Sequence, residues 1–224
     1  MDNIKNPLYL FDMEKKEQII GVDEAGRGPL AGPVVACAAI LKNYATSLDD
    51  INDSKKLTEK KREILFDIIM ENFYTGVGIS SPAEIDDINI LNATFLAMRR
   101  AIGNLKENLE NKENFYNIDI ENDYLILIDG NFNIKEYHGK QEPIIKGDGQ
   151  SLSIAAASVI AKVTRDRIMI EEDKNYPIYG FKKHKGYGTK EHIKSLIANG
   201  PSPIHRESFL KNIRGEINLT LDFS

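Results

Sequence analysis

Asp23 and Glu24 stand side by side after a short apolar run and directly before a loop dense in glycine, Gly26-Arg27-Gly28-Pro29-Leu30-Ala31-Gly32-Pro33. Adjacent carboxylates are the oxygen donors that hard divalent cations take. A glycine-rich loop lets backbone groups approach a sugar or phosphate without Cβ interference. Either feature alone is most often a solvated turn; together they point to metal-assisted phosphate chemistry. Two further acids have comparable settings. Asp129 follows the apolar run 124–128 and precedes Gly130, and Asp148 sits in Lys146-Gly147-Asp148-Gly149 ahead of a long helical pattern. Four ionised carboxylates carry a formal charge of about −4, which two divalent ions would balance, and two ions about 3.5–4 Å apart can clamp the attacking and leaving oxygens of an in-line phosphoryl displacement. With a metal-bound water as nucleophile, no general-base histidine is needed.

Other chemistries find little support. The four histidines, His138, His184, His192 and His205, lack metal spacing with cysteine, no His-Glu-x-x-His occurs, and each reads as a surface or substrate-edge residue. A Gly-x-x-x-x-Gly-Lys-Ser/Thr loop is absent. The one cysteine, Cys37, lies in Val34-Val35-Ala36-Cys37-Ala38-Ala39-Ile40-Leu41 and reads as a small core hydrophobe.

The elements that must position these acids follow from periodicity. Residues 19–22 read as a short strand ending at Asp23, 34–41 as a buried strand, and 74–80 as a third. Thr58 is an N-cap for a helix over 59–72 with the apolar stripe Ile64, Leu65, Ile68 and Ile69. Ser81-Pro82-Ala83-Glu84 starts a short helix, and 89–105 carries a second through Ile90, Ala93, Ala97 and Ala101. Residues 106–123, rich in Glu and Asn, read as an exposed extension. Residues 124–128 form a strand. Ser151 or Ser153 caps a long helix over 154–171, whose small residues Ala155, Ala156, Ala157, Ser158 and Ala161 allow close packing on a sheet. Residues 189–198 form a helix stopped by Asn199-Gly200-Pro201, and a last short helix is expected around 205–213. Strands alternating with helices argue an α/β fold, and the meander-like first three strands argue a mixed sheet.

At 224 residues and 42% hydrophobic content, the chain fits one domain with a sizeable core. No run of about 18 apolar residues occurs and the N-terminus lacks a signal-peptide pattern, so a soluble, cytoplasmic protein without membrane contact is expected. The net charge of −5 argues mildly against nucleic acid, but charge is segregated. Lys55, Lys56, Lys60, Lys61 and Arg62 form one basic cluster, and Lys182, Lys183, His184 and Lys185 another. Arg27 can grip a phosphate bidentately, and Lys55 and Lys56 are placed to touch backbone phosphates.

The run over 21–33 resembles the opening signature of the type 2 ribonucleases H, the ribonuclease HII family. Further matches follow in order: Asp53-Ser54-Lys55-Lys56-Leu57, Ile128-Asp129-Gly130, Lys146-Gly147-Asp148, the run 155–166, and His184-Lys185-Gly186-Tyr187-Gly188-Thr189. The resemblance implies a ribonuclease H-like fold, a mixed five-stranded sheet flanked by helices with a small C-terminal helical extension. It divides a single catalytic domain into a core at about 19–200 and an extension at about 201–224. It implies that Asp23, Glu24, Asp129 and Asp148 bind Mg²⁺ or Mn²⁺, two ions per site. It implies that the Gly26-Arg27-Gly28 loop reads the 2′-hydroxyl of a ribonucleotide at an RNA–DNA junction, while Tyr187 stacks beside the following deoxyribose. Asp53 then reads as a loop-ordering residue and Asp166 as a mid-helix ion-pair or hydrogen-bond partner. The implied enzyme is a monomeric endonuclease acting on RNA–DNA hybrids and on duplex DNA containing ribonucleotides.

Overall fold

The computed structural model describes residues 6–51, 58–112, 118–211 and 213; Asp53, Lys55 and Lys56 lie outside the described residues. Strands β1 (Gln18–Ala25), β2 (Val34–Leu41), β3 (Phe73–Ser80), β4 (Tyr124–Asp129) and β5 (Gln141–Ile144) form one sheet in the order β3-β2-β1-β4-β5. β2 runs antiparallel to β1 and β3, whereas β4 is parallel to β1 and β5. This is the expected mixed sheet. β1 is longer than the short strand expected, because Asp23, Glu24 and Ala25 still pair with Cys37, Ala36 and Val35 of β2. β5 supplies the fifth strand that the resemblance implies, although its four half-buried residues carry too little apolar pattern to announce it.

Helices cover both faces. α3 (Pro82–Glu110) packs Ala93, Ala97, Met98 and Leu105 on Ile20, Val22, Ala36 and Ile128. On the other face, α2 (Glu59–Asn72) and α5 (Leu152–Asn175) bury Leu65, Ile69 and the run 155–157 against Cys37 and Ala39. Cys37 is thus core, as its neighbours indicated, and burial followed by the nearby Asp23 pushes its thiol pKa up. Strand alternation sends Val22 toward α3 and Asp23 toward α5. The spacing of α5 depends on Gly21, where any side chain would collide with the backbone of Ser153 and Ile154.

Local caps match the sequence closely. Thr58 accepts from the Lys61 N–H at 3.2 Å, Ser81 and Glu84 form a capping box, and Ser151 rather than Ser153 caps α5. The two expected helices of the 82–105 region are joined across a break at Asn89 (φ 66°), whose side chain accepts from Leu91 and Asn92 N–H and so caps the second part. That part runs on to Glu110 because Leu105 and Leu109 stay fully buried. The 106–123 segment is therefore no wholly exposed extension: it begins in α3 and ends in α4 (Ile120–Asp123), whose Ile120 is buried.

α1 (Pro7–Glu14) was not expected in the polar N-terminus. It is held by tertiary contacts: Leu8 enters the layer under α5, and Asp12 accepts from the Ser153 N–H (2.9 Å) and hydroxyl (2.8 Å). Toward the C-terminus come α6 (Phe181–His184) and α7 (Lys190–Asn199), the latter capped by Thr189 and closed by Gly200 at φ 72°. Among the described residues of the expected helix over 205–213 there is only a 3₁₀ turn, Glu207–Phe209, since residues 204–206 are drawn out alongside residues 30–32. No described helix is long and apolar enough to cross a membrane.

Candidate active site

The sheet brings three of the four predicted acids together. Carboxylate oxygens of Asp23, near the end of β1, Asp129, the final residue of β4, and Asp148, in the 3₁₀ turn Gly147–Gly149 before α5, lie within 4.8 Å of one another. Parallel pairing of β1 with β4 puts the first two side by side at the same sheet end. The third is tethered by the Gly147 N–H, which donates to Asp129 Oδ1 at 2.7 Å. Asp23 and Asp148 are buried and Asp129 half-buried.

Burial first, then the Glu24 and Asp129 carboxylates, push the Asp23 pKa well above its ordinary value, while the Ser158 hydroxyl and the Glu24 N–H work the other way. A cluster of this kind gains from any cation that enters it. The donor set is oxygen only, with neither imidazole nor thiolate, which suits Mg²⁺ or Mn²⁺ better than zinc. Glu24 is not one of the three converging acids. Strand alternation starts its side chain on the other face of β1, and its Oε1 lies 3.3 Å from Arg27 Nη1.

A cleft of about 230 Å³ opens over the acids, lined by Asp23, Glu24, Gly26, Arg27, Gly28, Asp129, Ser158, Lys162 and Tyr187. The predicted loop and the predicted tyrosine, 46% exposed, therefore flank the same opening. Gly26 has φ 99°, and a side chain there would collide with Arg165. Asp166 is the expected mid-helix partner, 2.6 Å from Lys162 and 3.9 Å from Arg62.

Sequence reasoning missed two arginines that hold the loop. Arg165 is 1% exposed and donates to the carbonyls of Pro33, Ala31 and Lys185 at 2.9–3.1 Å. Arg206 is fully buried and donates to Gly32, Arg27 and Gly26 carbonyls at 2.9, 3.0 and 2.5 Å. Burial, then Arg165, works against the charge on Arg206; the three carbonyls offset that cost. The signal for Arg165 was a guanidinium on the buried face of a helix between Ala161 and Met169; for Arg206 no local signal exists. The histidines also need correction. Among the four, His138 is exposed, but His192 and His205 are fully or nearly fully buried and lie 3.0 Å apart.

Comparison with known proteins adds an independent line. The family model for Ribonuclease HII matches residues 20–212. A ribonuclease HII of Fusobacterium nucleatum is 62% identical over 209 residues, covering 93% of this chain and 92% of that protein. A ribonuclease HII of Clostridioides difficile is 53% identical, covering 95% and 82%. Among solved structures, ribonuclease H2 from Pyrococcus horikoshii superposes with a TM-score of 0.65 at 27% identity, covering 91% of this chain and 99% of that one.

Proposed function

The chain belongs to the ribonuclease HII family and is an endoribonuclease, and on that premise we propose that it incises duplex DNA on the 5′ side of embedded ribonucleotides as well as cutting RNA in RNA–DNA hybrids. The products carry 3′-OH and 5′-phosphate ends, and the cellular task is removal of ribonucleotides from DNA. The observation that carries this reading is the position of three convergent carboxylates under a cleft whose rim is the Gly26-Arg27-Gly28 loop and Tyr187.

Asp23, Asp129 and Asp148, with Glu24 beside them, would hold the divalent ions, two of Mg²⁺ or Mn²⁺. When bound, such ions supply positive charge at the scissile phosphate and a nucleophilic water at neutral pH. The rest falls to the chain's own groups. Arg27, exposed and hinged between two glycines, holds a phosphate next to the cut. The backbone of residues 26–28 offers hydrogen-bond partners to a 2′-hydroxyl, the group that separates RNA from DNA. Tyr187 stacks on the next sugar and limits the register. Lys162, inside the cleft, adds positive charge. Lys55 and Lys56 act on more distant phosphates. On this reading one chain supplies every group of the site, and the enzyme works as a cytoplasmic monomer.

The test is cleavage of duplex DNA containing one ribonucleotide, with and without Mg²⁺, and mapping of the ends. Metal-dependent incision 5′ of the ribonucleotide is expected. Cleavage of continuous hybrid alone, with the single ribonucleotide left intact, would overturn the junction-reading part.

A further inference from the structure

Behind Tyr187 lies a chain of hydrogen bonds whose direction is forced by chemistry. The Ser202 backbone N–H donates to His205 Nδ1 at 2.9 Å, so that nitrogen carries no proton and the neutral ring must carry it on Nε2. His205 Nε2 lies 3.0 Å from His192 Nε2, which must then accept. His192 is left with its proton on Nδ1, and that group faces the Tyr187 carbonyl at 2.9 Å. The wire runs from Ser202 through two neutral imidazoles to the backbone of Tyr187.

The surroundings keep it neutral. The ring of Phe181 packs 5.4 Å from His192 and 5.6 Å from His205, Tyr179 sits edge-on to His205 at 4.9 Å, and His184 stacks on His192 at 4.4 Å. Burial is the main reason that both His192 and His205 are held down to about 4, against an ordinary 6.5. A proton added at His192 Nε2 would set two N–H groups face to face, and one added at His205 Nδ1 would oppose the Ser202 N–H, with only the Ser202 hydroxyl oxygen, 2.8 Å away, to accept it.

The wire ends on a loop that needs holding. Lys185 and Gly186, just before Tyr187, have φ of 51° and 84°, and a left-handed lysine is a costly conformation. Its other end is joined to the opposite rim of the cleft. Residues 204–206 pair with 30–32 through Gly32 N–H to Ile204 O (2.8 Å) and Arg206 N–H to Leu30 O (2.9 Å), and Arg206 grips Gly26 and Arg27. One short segment, 202–206, is therefore bonded to both sides of the cleft.

We propose that His192 and His205 are positioning residues of the substrate site, fixing where Tyr187 stands relative to the Gly26-Arg27-Gly28 loop and hence how well a single ribonucleotide is located. This rests on the reading of Tyr187 as a sugar-stacking residue given above. Neither histidine touches substrate; both act through the Tyr187 carbonyl.

The test compares His192→Phe, which keeps ring shape and loses both nitrogens, with His192→Asn, whose amide N–H can replace the donor to Tyr187. His192→Phe should raise KM for duplex DNA with one ribonucleotide about 3- to 10-fold, the worth of one neutral hydrogen bond, with kcat and the kinetics on continuous hybrid near those of the parent. His192→Asn should recover most of the loss. Equal KM increases on both substrates, or no rescue by asparagine, overturn the proposal. Tyr187→Ala run alongside separates the two ideas: if it discriminates between substrates and His192→Phe does not, the wire fails and the tyrosine reading stands; if it fails to discriminate, the tyrosine reading itself falls. Nitrogen-15 NMR of the unaltered protein at neutral pH reads the two tautomers directly, whether or not the variants fold. His192 should appear as the Nδ1–H tautomer and His205 as the Nε2–H tautomer, and the reverse assignment for either overturns the wire.

Discussion

The Gly147 N–H donates to Asp129 Oδ1 at 2.7 Å, so the carboxylate at the end of β4 also seats the turn that carries Asp148. The two acids are mechanically linked, which bears on how their variants should differ. Asp148→Asn keeps the seat and removes one negative oxygen from the cluster. Turnover should fall by two or more orders of magnitude while hybrid affinity stays within a few-fold, because charge at the phosphate matters most in the transition state. Near-normal turnover at saturating Mg²⁺ would remove Asp148 from the set.

Divalent metal should raise the melting temperature, through binding to the folded state alone and relief of repulsion around Asp23. The sign with pH is set by the raised Asp23 pKa: without metal, its ionisation costs folding free energy as pH climbs above the ordinary carboxylate value. The metal-induced shift should therefore be larger at pH 7 than at pH 5 in thermal scans. Asp23→Asn combined with Asp129→Asn should abolish most of it, and an unchanged shift in that double variant would show that these acids do not share one site.

Tyr187→Ala should depress cleavage at a single embedded ribonucleotide by about 5- to 150-fold, the equivalent of roughly 1–3 kcal/mol of lost stacking. Continuous hybrid, which offers many registers, should suffer less, and Tyr187→Phe should cost less than alanine. Steady-state kinetics on the two substrates decide the matter; parallel losses would reduce Tyr187 to a loop anchor.

Gly26 and Gly130 separate backbone strain from crowding. Both have positive φ, 99° and 117°, but a side chain at Gly26 meets Arg165 and Pro33, whereas nothing lies within 4 Å at Gly130. Alanine at Gly130 should cost about 1–2 kcal/mol from conformation alone, and alanine at Gly26 clearly more, as read from urea midpoints. Equal losses would mean that Arg165 yields without penalty.

His192 and His205 should make the protein lose stability as pH falls below about 6.5. Their folded-state values of about 4 lie below the 6.5 of an unfolded histidine, so the unfolded chain takes up protons first. The stabilisation is complete above about pH 6.5 and is lost as pH falls toward 4; one ring accounts for about 2 kcal/mol between pH 7 and 5. Denaturant midpoints at those two pH values should differ more in the parent than in His192→Phe.

What the sequence made legible was local. The uninterrupted apolar run of β2, the cap Thr58, the helix start at Ser81 and acids where apolar runs end all declare themselves within a few positions. The Gly26-Arg27-Gly28 loop and Tyr187, 160 positions apart, were joined only through family resemblance, and the structure brings them to one cleft. Illegible were features made by distant partners: α1 held by α5, β5 held by β4, and the histidines, whose burial depends on Phe181 and Tyr179 and not on their own neighbours. The parting of Glu24 from the other three acids follows from strand alternation once β1 is known to extend past it.

The grip of Arg206 on Gly26 spans 180 positions of sequence, and this sets an order of events during synthesis. When a ribosome has delivered Asp148, every acid of the site is already present and the sheet strands can pair. The loop beside them still lacks its anchor, because the guanidinium that holds it, Arg206, comes later in the chain than any of the four acids. Ring closure over so long a stretch is slow relative to local folding. A chain made only as far as Asp148 would therefore hold the acids before it held the buried guanidinium that fixes the Gly26-Arg27-Gly28 loop, so the rim of the cleft takes its shape after the acids beneath it.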